Sequence, residues 1–350
     1  MPPVLSWPMN APAEGSGRPA SAATGTRGLP WLLADIGGTN ARFGWFEHPA
    51  RGAEHIHTLP CAAFAGPEQA CAAYLEHVRG QRGGEPARPR RAAVALATAL
   101  DGDAIALTNG AWRFSRTALQ RALGTERLLL LNDFEALALS LPRLRPDQYR
   151  AWGSAPSPRG TMAVVGPGTG LGVGGVVQTP QGWIALPGEG GHATLSPMDD
   201  FESDLLRCVR REHVHVSAER LLSGLGLPLL HAAVARVLGH DVPALSTESI
   251  VERGVSSQDP LCRFTLDTFC ALLGGFCGNV ALTLGARGGL YVGGGIVPRF
   301  GERFFESRFR ERFEAKGRFQ GYLEAIPTAL ITDTLAALSG AALALEQLEA

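Results

Sequence analysis

Short apolar runs alternate along the chain with stretches whose apolar residues recur at helical spacing. The first run, Leu32-Leu33-Ala34, leads through a single acid, Asp35, to Gly37-Gly38-Thr39, and an alternating run through Ala41, Phe43 and Trp45 follows. This pattern predicts strand, tight turn, strand. Glu54–Leu59 reads as a third short strand. Pro67 to Gly80 reads as a helix, with Ala70, Cys71, Tyr74, Leu75 and Val78 on one face and proline and glycine at its ends. A basic loop, Gln81–Arg91, leads to buried strands at Ala92–Ala97 and Ala104–Leu107. Ser115 can cap a helix that runs to Leu123 and stops at Gly124. The strand Leu128–Leu131 ends abruptly in Asn132-Asp133, and a helix over Phe134–Leu141 starts at once.

Near Thr161 the opening pattern returns. Met162–Val165 predicts a strand, Gly166–Gly170 a glycine turn and Leu171–Val177 a second strand. A glycine-rich loop spans Leu186–His192. Helices are expected at about 201–213, 217–223, 228–238, 247–253 and 259–284. Gly289–Val292 reads as a strand ending in Gly293-Gly294-Gly295, with a helix starting near Pro298. A strand at Ile326–Thr332 and a helix at about 334–348 close the chain. Alternating strands and helices mean α/β layers. Two units that each open with a strand-glycine-strand hairpin suggest a duplicated fold around a cleft. Ligands in such sheets bind outside the carboxyl ends of the strands. That rule gathers Asp35, Asn132-Asp133, Gly168-Thr169-Gly170 and Gly293–Gly295 into one crevice.

Composition narrows the choices. A chain of 350 residues, 45% hydrophobic and 19% charged, suits a soluble protein of two domains. A net charge of −1 gives no electrostatic case for nucleic acid. Lys316 is the only lysine, so the Gly-Lys-Ser/Thr of a Walker loop is absent. No two of the six cysteines form a C-x-x-C pair, which argues against structural zinc and for reduced core residues. Thr268 to Ala286 carries no charge for 19 residues, but glycines, Asn279 and two threonines interrupt it, so a buried core helix is expected rather than a membrane span. Residues 1–29, rich in Pro, Ala, Gly and Ser, read as a disordered tail without the features of a secretory signal, and a cytoplasmic location follows.

The candidate chemistry sits at the turns. Glycines at 37 and 38 let backbone N–H groups approach a ligand and form a concave anion site. Thr39 adds a hydroxyl, and Asp35 beside a phosphate cradle suggests Mg²⁺, held directly or through water. The plainer alternative is a hairpin with an ordinary glycine turn. Asp133 reads either as a helix N-cap or as a general base that accepts a proton from a sugar hydroxyl during phosphoryl transfer. The two roles are compatible if Asn132 or a backbone group does the capping. Gly188-Glu189-Gly190-Gly191-His192 places an acid and an imidazole on a glycine-walled loop, suited to paired hydrogen bonds with sugar hydroxyls. A structural loop and a metal pair are the alternatives, and the glycines oppose the helix that a metal-binding Glu-x-x-His needs. Glu219, just after Ser217, also suits a plain place at a helix start.

Together these stretches resemble the bacterial glucokinase family. The matching segments are Asp35-Ile36-Gly37-Gly38-Thr39-Asn40-Ala41-Arg42, Thr108-Asn109, Leu131–Phe134, Gly166–Gly172, Leu186–His192, His215–Arg220, Gly293–Arg299 and Lys316–Phe319, in family order. The resemblance implies the two-lobed actin-like (ribonuclease H-like) α/β fold, with a small lobe of 30–133 plus 333–350 and a large lobe of 134–332. It implies Asp133 as the catalytic base, and Asn109, Asn132, Glu189, His192 and Glu219 as holders of the other glucose hydroxyls. Asp35, Gly37, Gly38 and Thr39 would face the ATP phosphates and Mg²⁺, Gly168-Thr169-Gly170 the phosphates from the other lobe, and Gly293–Gly295 the adenosine. A homodimer is expected, with glucose and ATP as partners. The ROK-type sugar kinases share the Asp-x-Gly-Gly-Thr stretch, but their cysteine-rich zinc motif does not follow His192. A non-catalytic sugar sensor, another hexose as acceptor and polyphosphate as donor are the competing expectations.

Overall fold

The computed structural model describes residues 28–98, 100–108 and 110–348. Most of the expected tail, 1–27, and the sugar-contact candidate Asn109 lie outside the described residues.

The first half is led by the antiparallel strands β1 (Trp31–Ile36), β2 (Asn40–His48) and β3 (Gly52–Pro60). Helix α1 (Pro67–Gln81) leads to β4 (Arg91–Leu96), and a small hairpin pairs β5 (Ala104–Ala106) with β6 (Arg113–Ser115). Helix α2 (Arg116–Leu123) starts where Ser115 Oγ accepts the Ala118 N–H at 3.1 Å, and it stops at Gly124, whose φ is +64°. Strand β7 (Arg127–Asn132) then runs straight into α3 (Asp133–Ser140). The sheet order is β3-β2-β1-β4-β7, with β1, β4 and β7 parallel. Their carboxyl ends share one edge, since Ile36 pairs with Leu96 and Leu96 with Asn132.

The second half opens with β8 (Tyr149–Trp152) and continues with β9 (Thr161–Pro167), β10 (Leu171–Thr179) and β11 (Gly182–Leu186). Four helices follow: α4 (Asp200–Val209), α5 (Ala218–Leu221), α6 (Leu227–Val237) and α7 (Thr247–Val255). The long α8 (Pro260–Leu284) is a core helix, buried over most of its length. Strand β12 (Gly289–Val292) and the short helices α9 (Glu302–Glu306), α10 (Phe309–Glu314) and α11 (Gln320–Glu324) lead to β13 (Thr328–Ile331) and α12 (Ala336–Gln347). The order β11-β10-β9-β12-β13 reproduces that of the first sheet, with β8 added at the far edge. The duplication expected from the two hairpins is therefore present strand for strand.

Several elements differ from expectation. Strands β6, β8 and β11 and helices α10 and α11 come in addition, and the helix expected to start near Pro298 is a 3-10 helix, Val297–Phe300, followed by the short α9. The cysteines behave as expected: all six are buried and unpaired.

Three apolar cores hold the structure. One joins α1 and α2 to the outer face of the first sheet. Another joins α4 to α8 to the second sheet. The third lies between the sheets, where Leu33 and Leu131 of one and Val164 and Tyr291 of the other meet α3 and α12. These two helices touch at Gly340, where a Cβ would come within 1.7 Å of the Ala136 carbonyl oxygen. Only glycine permits that crossing, which locks α3, and Asp133 at its start, between the halves.

Candidate active site

A cleft of about 490 Å³ opens between the carboxyl edges of the two sheets. Gly37, Gly38, Asn132 and Asp133 line it from the first half, and Gly168-Thr169-Gly170, Glu189, His192 and Glu219 from the second. Sequence-distant candidates from five separate segments thus meet on one wall system. Asp35, Thr39 and Gly293–Gly295 are not part of the lining. Thr39 is exposed at the turn, Gly293 is buried, and a Cβ on Gly294 would come within 2.2 Å of the Pro167 carbonyl oxygen, so its first duty is close packing against β9.

Asp133 owes its position to the helix start. Asn132 Oδ1 accepts the Phe134 N–H at 2.9 Å and the Glu135 N–H at 3.4 Å, while Glu135 returns a bond to the Asn132 N–H at 3.3 Å. This capping box relieves Asp133 of the duty of satisfying the helix end. Asp133 Oδ1 takes only a share of the Phe134 N–H, at 2.9 Å. The Asn132 amide nitrogen donates to the Thr98 carbonyl at 3.2 Å, so Asn132 enters the cleft already well bonded.

Phe134 does the rest. Its ring lies across the paired glycines of β9 and β10, where a Cβ on Gly172 would lie 2.0 Å from it and one on Gly166 2.5 Å away. Glycines on either side of the Gly168-Thr169-Gly170 turn therefore make room for the residue that anchors Asp133. Gly168, in contrast, has nothing within 4 Å of where its Cβ would be, and it faces the open cleft.

Charge in the cleft is lopsided. Burial pushes the Asp133 carboxyl up to about 7, and the nearby carboxylates of Asp35 and Glu189 push the same way against the Phe134 hydrogen bond. Asp35 is also raised by burial, although Arg42 opposes the shift through an ion pair at 3.2 Å. That pair was missed in the sequence, yet the hairpin register that sets Asp35 opposite Arg42 could have been counted outward from the turn. Glu219 Oε2 accepts the Leu171 N–H at 2.8 Å, and its Oε1 lies 3.9 Å from His192 Nδ1, which joins the histidine of the glycine-rich loop to the start of β10. The glycines of the Leu186–His192 loop do not prevent a single 3-10 turn, Gly190–His192. A Cβ on Gly191 would collide with the Leu171 carbonyl oxygen at 1.9 Å, so that turn is docked by close backbone contact.

Among the described residues no group of three or more His, Cys, Asp or Glu side chains forms a metal cage. The donor set that exists, a largely buried Asp35 near Asp133 with Arg42 paired to it at 3.2 Å, suits a cation delivered by a phosphate ligand and touched by few carboxylates.

Duplicated β-hairpin-led sheets, closing on a cleft with glycine turns and a raised carboxylate, define the two-lobed actin-like class of α/β proteins. Comparison with known proteins goes further. The glucokinase family model matches residues 32–348. A glucokinase of Chromobacterium violaceum is 48% identical over 314 residues, 89% of this chain and 88% of that protein. One from Neisseria meningitidis serogroup C is 45% identical over 320 residues, 91% and 95% of the two chains. The crystal structure of a glucokinase from an Antarctic psychrotroph superposes with a TM-score of 0.81 at 38% identity, covering 90% of this chain and 98% of that one. The chain belongs to the glucokinase family.

Proposed function

We propose that the protein transfers the terminal phosphoryl group of ATP to the 6-hydroxyl of D-glucose, giving glucose 6-phosphate and ADP. The observation that carries this is the meeting in one cleft of a hydroxyl-binding wall (Glu189, His192, Glu219), a carboxylate raised to about 7 (Asp133) and two glycine turns (Gly37-Gly38 and Gly168-Thr169-Gly170). Glu189, His192 and Glu219 orient the sugar, with Asn132 and Asn109 as further contacts. Asp133 takes the proton of the 6-hydroxyl as its oxygen bonds to phosphorus and the bond from phosphorus to the ADP oxygen breaks. The turns hold the phosphates in line, Thr39 adds a hydroxyl, and Gly293–Gly295 support the adenosine. Asp35 is the residue that would hold Mg²⁺, whose chemistry when bound is to neutralise phosphate charge. Rate comes from positioning and from exclusion of water as the lobes close.

The same proposal divides the chain into a small lobe of 30–133 plus 333–350 and a large lobe of 134–332, working as a cytoplasmic homodimer. The buried, unpaired cysteines suit a reducing compartment. A coupled assay of ADP release with and without glucose, run over a panel of hexoses and with polyphosphate as donor, tests it. Glucose-dependent ADP release is expected. Sugar binding without turnover would instead make the protein a sensor, and preference for another hexose or for polyphosphate would reassign the substrates.

A further inference from the structure

A nucleotide triphosphate brings several negative charges into a cleft whose lining already carries Asp133, Glu189 and Glu219. Some side chain has to answer that charge. The sole lysine does not: Lys316 Nζ donates to the Gly275 carbonyl at 2.8 Å and to Asn279 Oδ1 at 2.7 Å, away from the cleft lining. Arg42 is committed to Asp35. His192 is the one imidazole of the lining and leans toward Glu219. Arg220 is the remaining cation there, and among the described residues its guanidinium has no hydrogen-bond or ion-pair partner.

Its backbone, by contrast, is fixed. The Arg220 N–H is capped by Ser217 Oγ at 3.2 Å. Its neighbour Glu219 is bonded to the Leu171 N–H, at the far end of the Gly168–Gly170 turn. Three residues past the end of α5, the Gly224 N–H donates to the Gly168 carbonyl at 2.8 Å. A Cβ on Gly226 would lie 2.5 Å from the Arg220 carbonyl oxygen, so the loop after α5 folds back tightly over it. The Arg220 side chain is thus exposed and unpaired on an anchored backbone, lining the same cleft as the Gly168 turn, where there is open space.

We propose that the Arg220 guanidinium grips the phosphate groups of the donor beside the Gly168-Thr169-Gly170 turn. This assignment rests on the phosphoryl-transfer activity proposed above and adds a residue to it. A planar guanidinium presents paired donors that match two phosphate oxygens, which an ammonium cannot do. In phosphoryl transfer such a contact stabilises charge on the migrating group.

Steady-state kinetics of Arg220→Ala and Arg220→Lys, with glucose affinity measured by calorimetry in the absence of nucleotide, test the assignment. Arg220→Ala is expected to lower kcat/KM for MgATP by at least about 100-fold. Glucose affinity should stay within about threefold of wild type, which also shows that the variant is folded. Arg220→Lys should recover part of the loss, and added guanidinium salt should partly restore the alanine variant. A kcat/KM for MgATP within threefold of wild type overturns the assignment. So does a parallel fall in glucose affinity, which would mean that Arg220 acts only by positioning Glu219. If wild-type protein shows no glucose-dependent ADP release, the phosphoryl-transfer reading fails by itself. Calorimetry with inorganic tripolyphosphate then decides on Arg220 independently: tenfold weaker binding by the alanine variant supports the contact, and equal binding removes it.

Discussion

Strands β7 and β13 occupy the same place in their two sheets, and each delivers an aspartate to the chain that follows: Asp133 at the first residue of α3, Asp333 just ahead of α12. Their surroundings part company. Asp333 accepts the Leu335 N–H at 2.8 Å with one oxygen and the Gln148 side-chain amide with the other. Asp133 is spared that work by the Asn132 capping box and faces the cleft, with burial and two neighbouring acids holding its carboxyl near 7. The hairpins divide in the same way. The first carries Asp35 paired with Arg42, whereas β9 and β10 carry no acid and use their glycines to seat Phe134. Duplication repeated the topology. Under the proposed function, the aspartate that carries fewer structural hydrogen bonds is the one that does the chemistry.

The largest effect should come from treating the two aspartates alike. Asp133→Asn is expected to lower kcat at least about 100-fold, the usual worth of a positioned base, while glucose binding largely survives. Asp333→Asn should leave kcat within a few-fold and lower stability by about 1 kcal/mol, the scale of one weakened buried hydrogen bond, read as a fall in Tm. Equal losses of kcat in the two variants would erase the asymmetry and remove Asp133 from its role.

A middle-sized effect should come from Gly172→Ala. The added methyl meets the Phe134 ring at 2.0 Å, and overpacking of this kind costs about 1–3 kcal/mol. Because Phe134 follows Asp133, kcat should fall along with Tm. Shrinking the ring in a Gly172→Ala/Phe134→Leu double variant should recover part of both. Losses that simply add in the double variant would show that the two sites are not coupled through this contact.

Much of this was legible in the sequence. The strands that form the inner sheets announced themselves as apolar runs, and the duplicated hairpin, the Asn132-Asp133 junction and the glycine-rich Leu186–His192 loop at the cleft were found from local pattern alone. What escaped was short or depended on register. Tyr149–Trp152 is a partly buried edge strand with Arg150 in it, so it lacks a clean apolar run. Helices α10 and α11 span six and five residues, too few for a 3.6-residue period to show. The Arg42 partner of Asp35 and the glycines that seat Phe134 are contacts across elements, and the place of Arg220 in the cleft lining depends on the whole fold; periodicity reports none of these.

The smallest expected effect isolates the electrostatic part of the contrast. Asp133 is raised from 3.8 to about 7 mainly by burial, with Asp35 the next contributor. Removing that negative charge in Asp35→Asn should lower the Asp133 value, because a like charge disfavours ionisation. Carbon-13 NMR of protein labelled at the aspartate carboxyl groups, without nucleotide or metal, reads this directly, with Asp133→Asn identifying the signal. The sign fixes the functional consequence. A base must be deprotonated, so wild-type kcat/KM for glucose should fall as pH drops below about 7, the value of the free enzyme's carboxyl. An Asp133 signal that titrates near 4 in wild type would mean that the carboxyl is already well solvated, and the difference from Asp333 would then rest on hydrogen bonding alone. A signal near 7 that Asp35→Asn leaves in place would assign the whole shift to burial and detach the first hairpin's acid from the second carboxylate's chemistry.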